Sequence, residues 1–139
     1  RDIVVFNRYV PSNIAYQSVR DEINTPEQAL ALRDFIESLE YGKNQMPRAT
    51  ITIVLSTDVD LSQKLVDKKG ERLYINGRDV LEANGDLQAR AAAVYRDLCE
   101  NRADFVEVNC KDPKTGEMRS KESIHAEIVK LVEPLLGKD

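Results

Sequence analysis

Three short apolar runs along the chain have the pattern of strands that are buried on both faces. They are residues 3–6 (IVVF), 51–55 (ITIVL) and 105–108 (FVEV). Each is rich in β-branched or aromatic residues and is too short to show the polar alternation of a strand with one face in water. This pattern is typical of parallel strands that are covered by helices. Glu107 inside the third run favours a position at the edge of the sheet.

Helical patterns separate these runs. Thr25 and Gln28 have the spacing of a capping box, and Pro26 between them suits a first helical position. Further helices are predicted at 61–69 after Asp60, at about 85–101, and after Ser120. The order of strand, helices, strand, helices, strand and helix predicts an α/β domain with a parallel sheet.

Polar side chains follow the first predicted strand at once, beginning with Asn7 and Arg8. The next helix carries polar residues at the spacing i, i+3, i+4 and i+7, which places them on one face. They are Asn13, Tyr16, Gln17 and Arg20. Ligands of open parallel sheets bind beyond the carboxyl ends of the strands, so these residues are candidates for a binding site. The alternative is an ordinary solvated helix face.

Composition narrows the class of protein. The 139 residues are 42% hydrophobic and 32% charged, which fits one globular domain. A net charge of −4 argues against nucleic acid as a partner. No apolar run reaches the length of a membrane span, and no secretory signal is visible. Cys99 and Cys110 lie far apart without metal-type spacing, which indicates thiols in a reducing compartment. We therefore expect a cytoplasmic protein that binds neither nucleic acid nor membrane.

A specific resemblance begins at residues 7–17, NRYVPSNIAYQ. This stretch resembles the Asp-Arg-Tyr/His motif of the thymidylate kinases. Residues 41–57 (YGKNQMPRATITIVLST) and 78–98 (RDVLEANGDLQARAAAVYRDL) resemble later segments of that family in the same order. The resemblance covers nearly the whole chain. It implies an α/β three-layer P-loop kinase fold with five parallel strands in the order 2-3-1-4-5, and a homodimer that transfers the ATP γ-phosphoryl group to dTMP with Mg²⁺.

The resemblance also implies roles for individual residues. Arg8 would hold the dTMP phosphate, for which its planar guanidinium is well shaped. Asn13, Tyr16 and Gln17 would line the thymine and sugar pocket, and Tyr95 would close it from a later helix. The implied substrate-binding set is Asn7, Arg8, Ser12, Asn13, Tyr16, Gln17 and Tyr95.

Residues 64–80 resemble the lid that closes over the ATP phosphates in that family. The implied lid residues are Lys68, Lys69, Arg72 and Arg78. Cations interspersed with the glycines at 70 and 77 suit a lid, because closure excludes water and brings positive charge to the transferred group. Arg72 and Arg78 complete, with Arg8, the implied catalytic residues. The alternative is a solvated basic loop.

One departure from the family concerns the metal. Asn7 stands where the family has Asp, so the shape of the side chain is kept and its negative charge near Mg²⁺ is lost. We assign no residue of this chain as a metal ligand. The alternative interpretation is that Asn7 only holds the turn at the end of the strand.

The other departure concerns the P-loop. None of the six glycines completes the G-x-x-x-x-G-K-[ST] pattern whose backbone amides cradle phosphates. The chain also starts directly on its first predicted strand. We therefore expect residues 1–139 to be the C-terminal portion of a single thymidylate kinase-like domain, carrying its third, fourth and fifth strands and inactive alone. The alternatives are a related deoxynucleoside or other monophosphate kinase, and a non-catalytic nucleotide-binding fragment.

Overall fold

The computed structural model describes residues 3–58 and 85–137. Its helices are α1 (Val10–Gln17), α2 (Pro26–Glu37), α3 (Gly85–Asn101) and α4 (Lys121–Val132). Its strands are β1 (Thr52–Ser56) and β2 (Phe105–Asn109). A π-helical segment, Ser38–Lys43, continues α2, and a short 3-10 turn, Glu133–Leu135, follows α4. The helix predicted at 61–69 and the lid predicted at 64–80 lie outside the described residues.

β1 and β2 form a parallel pair with Thr52 opposite Phe105 and Ser56 opposite Asn109. The Thr52 amide donates to the Asp104 carbonyl at 2.7 Å, and the Cys110 amide donates to the Ser56 carbonyl at 2.8 Å. The second and third predicted strands are therefore confirmed, with their ends shifted by one residue. Parallel neighbours need a long crossover, and α3 lies in the connection between these two. The described residues thus combine helices with a small parallel sheet, which is compatible with the predicted α/β class.

The prediction of a strand at 3–6 is wrong in this structure. The segment has no strand conformation, and its side chains are exposed, Val4 at 71% and Val5 at 86%. A strand of this composition is stable only where a neighbour pairs with its backbone and helices cover both faces. Among the described residues the sheet has two strands, β1 and β2. Of the three predicted strands, the first is therefore missing, and the second and third are present as β1 and β2.

The helix caps follow from the sequence. At α2, the Gln28 amide donates to the Thr25 hydroxyl oxygen at 3.2 Å, and the Thr25 amide donates to the Gln28 side-chain oxygen at 3.1 Å. The predicted capping box is thus confirmed, with Pro26 at the first helical position. At α4, the Ser123 amide donates to the Ser120 hydroxyl oxygen at 3.1 Å. α3 has the predicted bounds, 85–101.

α1 lies at the centre of the helical packing, because it contacts both α2 and α3. Its Val10 and Ile14 form a buried cluster with Ile36 of α2. α3 in turn contacts both strands, and α4 contacts β2. This arrangement fixes α1, which contains most of the predicted binding motif at 7–17, relative to a helix more than sixty residues away along the chain. Within the two described ranges, no helix combines the length and apolar composition that a membrane crossing needs.

Candidate functional site

Arg8 occupies the turn between the exposed segment 3–6 and α1. Its φ is 66°, in the left-handed region, which costs a residue with a side chain about 1–2 kcal/mol. The guanidinium carbon lies 5.5 Å from the centroid of the Tyr16 ring, within the range of a cation–π contact. The turn therefore places the positive charge of Arg8 beside the first helical turns of α1, where it is exposed and accessible to a ligand.

Tyr95 of α3 meets the same region from the opposite side. Burial raises the pKa of its hydroxyl above the ordinary value of 10.0, and the nearby Tyr16 adds to the rise. A hydrogen bond with the Ser12 side chain and the positive charge of Arg8 act in the other direction on that pKa. These interactions show that four of the residues named in the sequence analysis lie together. They are Arg8, Ser12, Tyr16 and Tyr95.

The remaining predicted residues do not all lie in this cluster, and they differ in exposure. Asn7 and Asn13 are exposed, and Gln17 is half-buried at the last position of α1. Arg20 lies beyond the end of α1, so its predicted place on the same helix face is wrong. Its guanidinium instead folds back and donates to the Gln17 side-chain oxygen at 3.2 Å. The helix is too short to carry a fourth polar position. The lid residues Lys68, Lys69, Arg72 and Arg78 lie outside the described residues.

Tyr9 is a part of this region that sequence reasoning passed over. Its hydroxyl donates to the Pro47 carbonyl at 2.9 Å, and its ring stacks on Phe6 with centroids 4.6 Å apart and planes at 17°. Tyr9 also packs against the cluster formed by α1 and α2. The sequence contains a signal, since Tyr9 directly follows Arg8 in the motif. Its partner at position 47 depends on the tertiary fold and leaves no mark in the pattern.

A second feature missed by sequence reasoning is a wide, open cavity of about 600 Å³ at the carboxyl end of β2. Three of its eight lining residues are basic, namely Lys111, Lys114 and Arg119. Lys111 forms an ion pair with Asp58, just past β1. Arg119 donates to the Asn109 carbonyl at 2.7 Å and pairs with Glu127 at 2.7 Å. Much of this positive charge is therefore already neutralised within the protein.

The described residues fit a metal only indirectly. They contain no group of three or more His, Cys, Asp or Glu side chains that would hold an ion. The chemistry of residue 7 agrees, because an amide lacks the charge of a carboxylate. A hard cation such as Mg²⁺ is often bound through one or two protein carboxylates together with substrate phosphates, so this region is compatible with a metal that arrives with a nucleotide.

Comparison with known proteins gives independent information on which family the chain resembles. Over 97 residues the chain is 29% identical to the thymidylate kinase of Mycobacterium tuberculosis, with the same result for two strains. The aligned part is 70% of this chain and 44% of each relative, so the chain spans less than half the length of the curated relatives it matches. No family model and no solved structure matches. The similarity supports the distant relationship to the thymidylate kinases that the motif at 7–17 indicates.

Proposed function

We propose that this chain carries the acceptor-nucleotide site of a thymidylate kinase, which transfers the γ-phosphoryl group of ATP to dTMP and yields dTDP. The observation that carries the proposal is the meeting of Arg8 in the turn, Tyr16 on α1 and Tyr95 on α3. The similarity to the mycobacterial thymidylate kinases gives this arrangement its chemical meaning. Residues 1–139 then form the C-terminal portion of a single kinase domain.

Arg8 holds the dTMP phosphate in this proposal. A guanidinium offers two parallel N–H donors to phosphate oxygens, which a single ammonium does not. Arg8 lies in an exposed turn, and its guanidinium contacts the face of the Tyr16 ring. The N–H donors at the edge of the guanidinium are then available to a ligand. Asn7 and Ser12 flank this phosphate position on either side of Arg8.

The nucleoside part of dTMP lies along α1. Amide side chains offer both a donor and an acceptor, so Asn13 and Gln17 suit the polar edge of thymine. Tyr16 and Tyr95 provide flat walls for the base and sugar. Tyr95 of α3 comes close to Ser12 in the first turn of α1, so it borders this pocket from the side of α3.

The ATP side of the reaction is assigned to residues 64–80 as a lid. Lys68, Lys69, Arg72 and Arg78 supply cations for the phosphates, and Arg72 and Arg78 act with Arg8 on the transferred group. Mg²⁺, when bound with ATP, supplies further positive charge to these phosphates. The same relationship favours a homodimer in the cytoplasm, with dTMP and ATP as its small-molecule partners and neither nucleic acid nor membrane among them.

Two other functions compete with this one. A related kinase of deoxynucleosides or of another monophosphate would use the same turn and differ in the residues along α1. A non-catalytic nucleotide-binding protein is favoured by Asn7 and by the lack of a P-loop pattern in these 139 residues. For the same reason, we expect a coupled assay to detect no dTDP formation by this chain alone, because transfer needs the backbone cradle around the β and γ phosphates.

The proposal is tested by calorimetric titration with dTMP and with thymidine. We expect Arg8→Ala to weaken dTMP binding about 10- to 150-fold, the loss of one charge-assisted contact of about 1.5–3 kcal/mol. Thymidine, which lacks the phosphate, should bind the variant and the wild type equally. Lys130→Ala is the control, since this exposed cation on α4 takes no part in the proposed site and its loss should leave both affinities unchanged. Equal losses for dTMP and thymidine in Arg8→Ala would contradict the assignment.

A further inference from the structure

We propose that Tyr9 is a positioning residue for Arg8: its hydroxyl holds the turn in the conformation that aims the guanidinium at the ligand. The structural part of this inference stands on contacts in the protein. Its consequence for dTMP affinity rests on the proposed function.

Tyr9 is held from three directions. Its hydroxyl donates to the Pro47 carbonyl at 2.9 Å, just before β1 begins. Its ring stacks on Phe6, on the other side of Arg8, at 4.6 Å. It also packs against the buried cluster of α1 and α2. The residues before and after Arg8 are therefore joined to each other, and Tyr9 is tied to a segment 38 residues further along the chain.

Arg8 needs such a restraint. Its φ of 66° is unfavourable for a residue with a side chain, whereas Tyr9 beside it is extended, with φ of −156°. Strained conformations of this kind persist only where the surrounding structure holds them. The hydrogen bond to Pro47 fixes the ring of Tyr9, and the Tyr9 carbonyl accepts the Ser12 amide at 2.9 Å at the start of α1. Release of the hydroxyl therefore frees the turn without removing the helix.

The test uses Tyr9→Phe, which keeps the stacked ring and removes only the hydroxyl. Without any ligand, a strong NMR cross-relaxation between the amide and α protons of Arg8 marks the positive φ, because that angle brings the two protons close together. We expect this signal to be strong in the wild type and clearly weaker in Tyr9→Phe. An unchanged signal would overturn the proposal, whether or not the protein binds dTMP.

The affinity readout separates positioning from general stabilisation. Tyr9→Phe should weaken dTMP binding about two- to ten-fold, the effect of one hydrogen bond, and leave thymidine binding unchanged. In an Arg8→Ala background the same substitution should have no effect on dTMP, since the residue through which Tyr9 acts is gone. Tyr41→Phe is the control, because Tyr41 packs against the same cluster and its ring faces Arg48 rather than Arg8. Equal effects of Tyr9→Phe with and without Arg8 would contradict the role.

Discussion

Two apolar segments of similar composition differ strongly in their exposure to solvent in this protein. In β2, Phe105 is 6% exposed and Val108 is fully buried, whereas residues 3–6 of nearly the same character lie open to water. β2 pairs with β1 and is contacted by α3 and α4. In the other segment, Phe6 stacks on Tyr9. Burial of the apolar side chains is therefore a property of the neighbours and not of the segment, and even β2 keeps Glu107 and Asn109 exposed.

β1 lies between these extremes. It is paired with β2, yet its Leu55 remains 56% exposed, and Ile53 and Val54 are half-buried. One hydrogen-bonded neighbour is enough to fix the strand but not to cover it. The three segments thus form a series in which exposure falls as pairing and helix contacts increase, and the series can be tested by substitution.

The largest contrast is expected when the same charge is placed in both segments. Val108→Asp buries a carboxylate without a partner, and we expect it to lower the free energy of unfolding by at least about 3 kcal/mol. Val5→Asp places the same group in water and should change the free energy by less than about 0.5 kcal/mol. Urea denaturation of the two variants measures both values. Similar losses would show that residues 3–6 are as well packed as β2.

A smaller contrast is expected at the amino end of β2, where ion pairs anchor the strand to α2. Arg102 pairs with Glu37 of α2 and with Asp104 at 3.1 Å, and its guanidinium carbon lies 5.1 Å from the centroid of the Phe105 ring. Arg102 and Glu37 are mostly shielded from water, so Arg102→Ala should cost about 1–2 kcal/mol.

Its matched control is Arg20→Ala. Arg20 forms a pair with Glu22 at 3.6 Å in which both side chains are mostly exposed, and such pairs contribute little. Thermal unfolding of both variants gives the comparison. A loss for Arg20→Ala as large as that for Arg102→Ala would contradict the view that burial of the partners makes the difference.

The smallest effect is expected in alkaline solution at the contact of α1 with α3. Burial raises the pKa of Tyr95, so above about pH 10 the unfolded chain releases a proton that the folded protein still holds. The free energy of unfolding should therefore fall as the pH rises through this range. Tyr95→Phe removes this contribution and should make the fall shallower, although Tyr41, whose pKa burial also raises, keeps part of it. An unchanged slope would show that Tyr95 is accessible to water.

Local signals predicted most of the fold that the structure describes. The capping box at Thr25, the cap at Ser120 and the apolar periodicity of α3 act within a few residues, so they can be read from the sequence. The prediction of a strand at 3–6 was wrong, because an apolar composition does not show whether neighbouring strands and helices are there to cover the segment. The prediction that Arg20 shares a helix face with Asn13 was wrong for a related reason, since periodicity does not show where a short helix ends.

The candidate site, too, has a part that could be predicted from the sequence and a part that could not. Residue types and spacing identified Arg8 and Tyr16 as candidates, and the resemblance to the thymidylate kinases added Tyr95. The structure brings the three together, and their roles are proposals. The hydrogen bond from Tyr9 to Pro47 joins positions 38 residues apart and depends on the packing of α1, α2 and the segment before β1. Such a contact has no periodic signature, which is why the sequence could not predict it.

Residue-resolved hydrogen exchange tests the central contrast most directly. The account predicts slow exchange for the amides of Thr52 and Cys110, which donate across the strand pair at 2.7 and 2.8 Å. The amides of Val4 and Val5 should exchange at the rate of an unstructured peptide, since their segment lies open to water. Protection of Val4 and Val5 comparable with that of Thr52 and Cys110 would contradict the account, because residues 3–6 would then be paired as well.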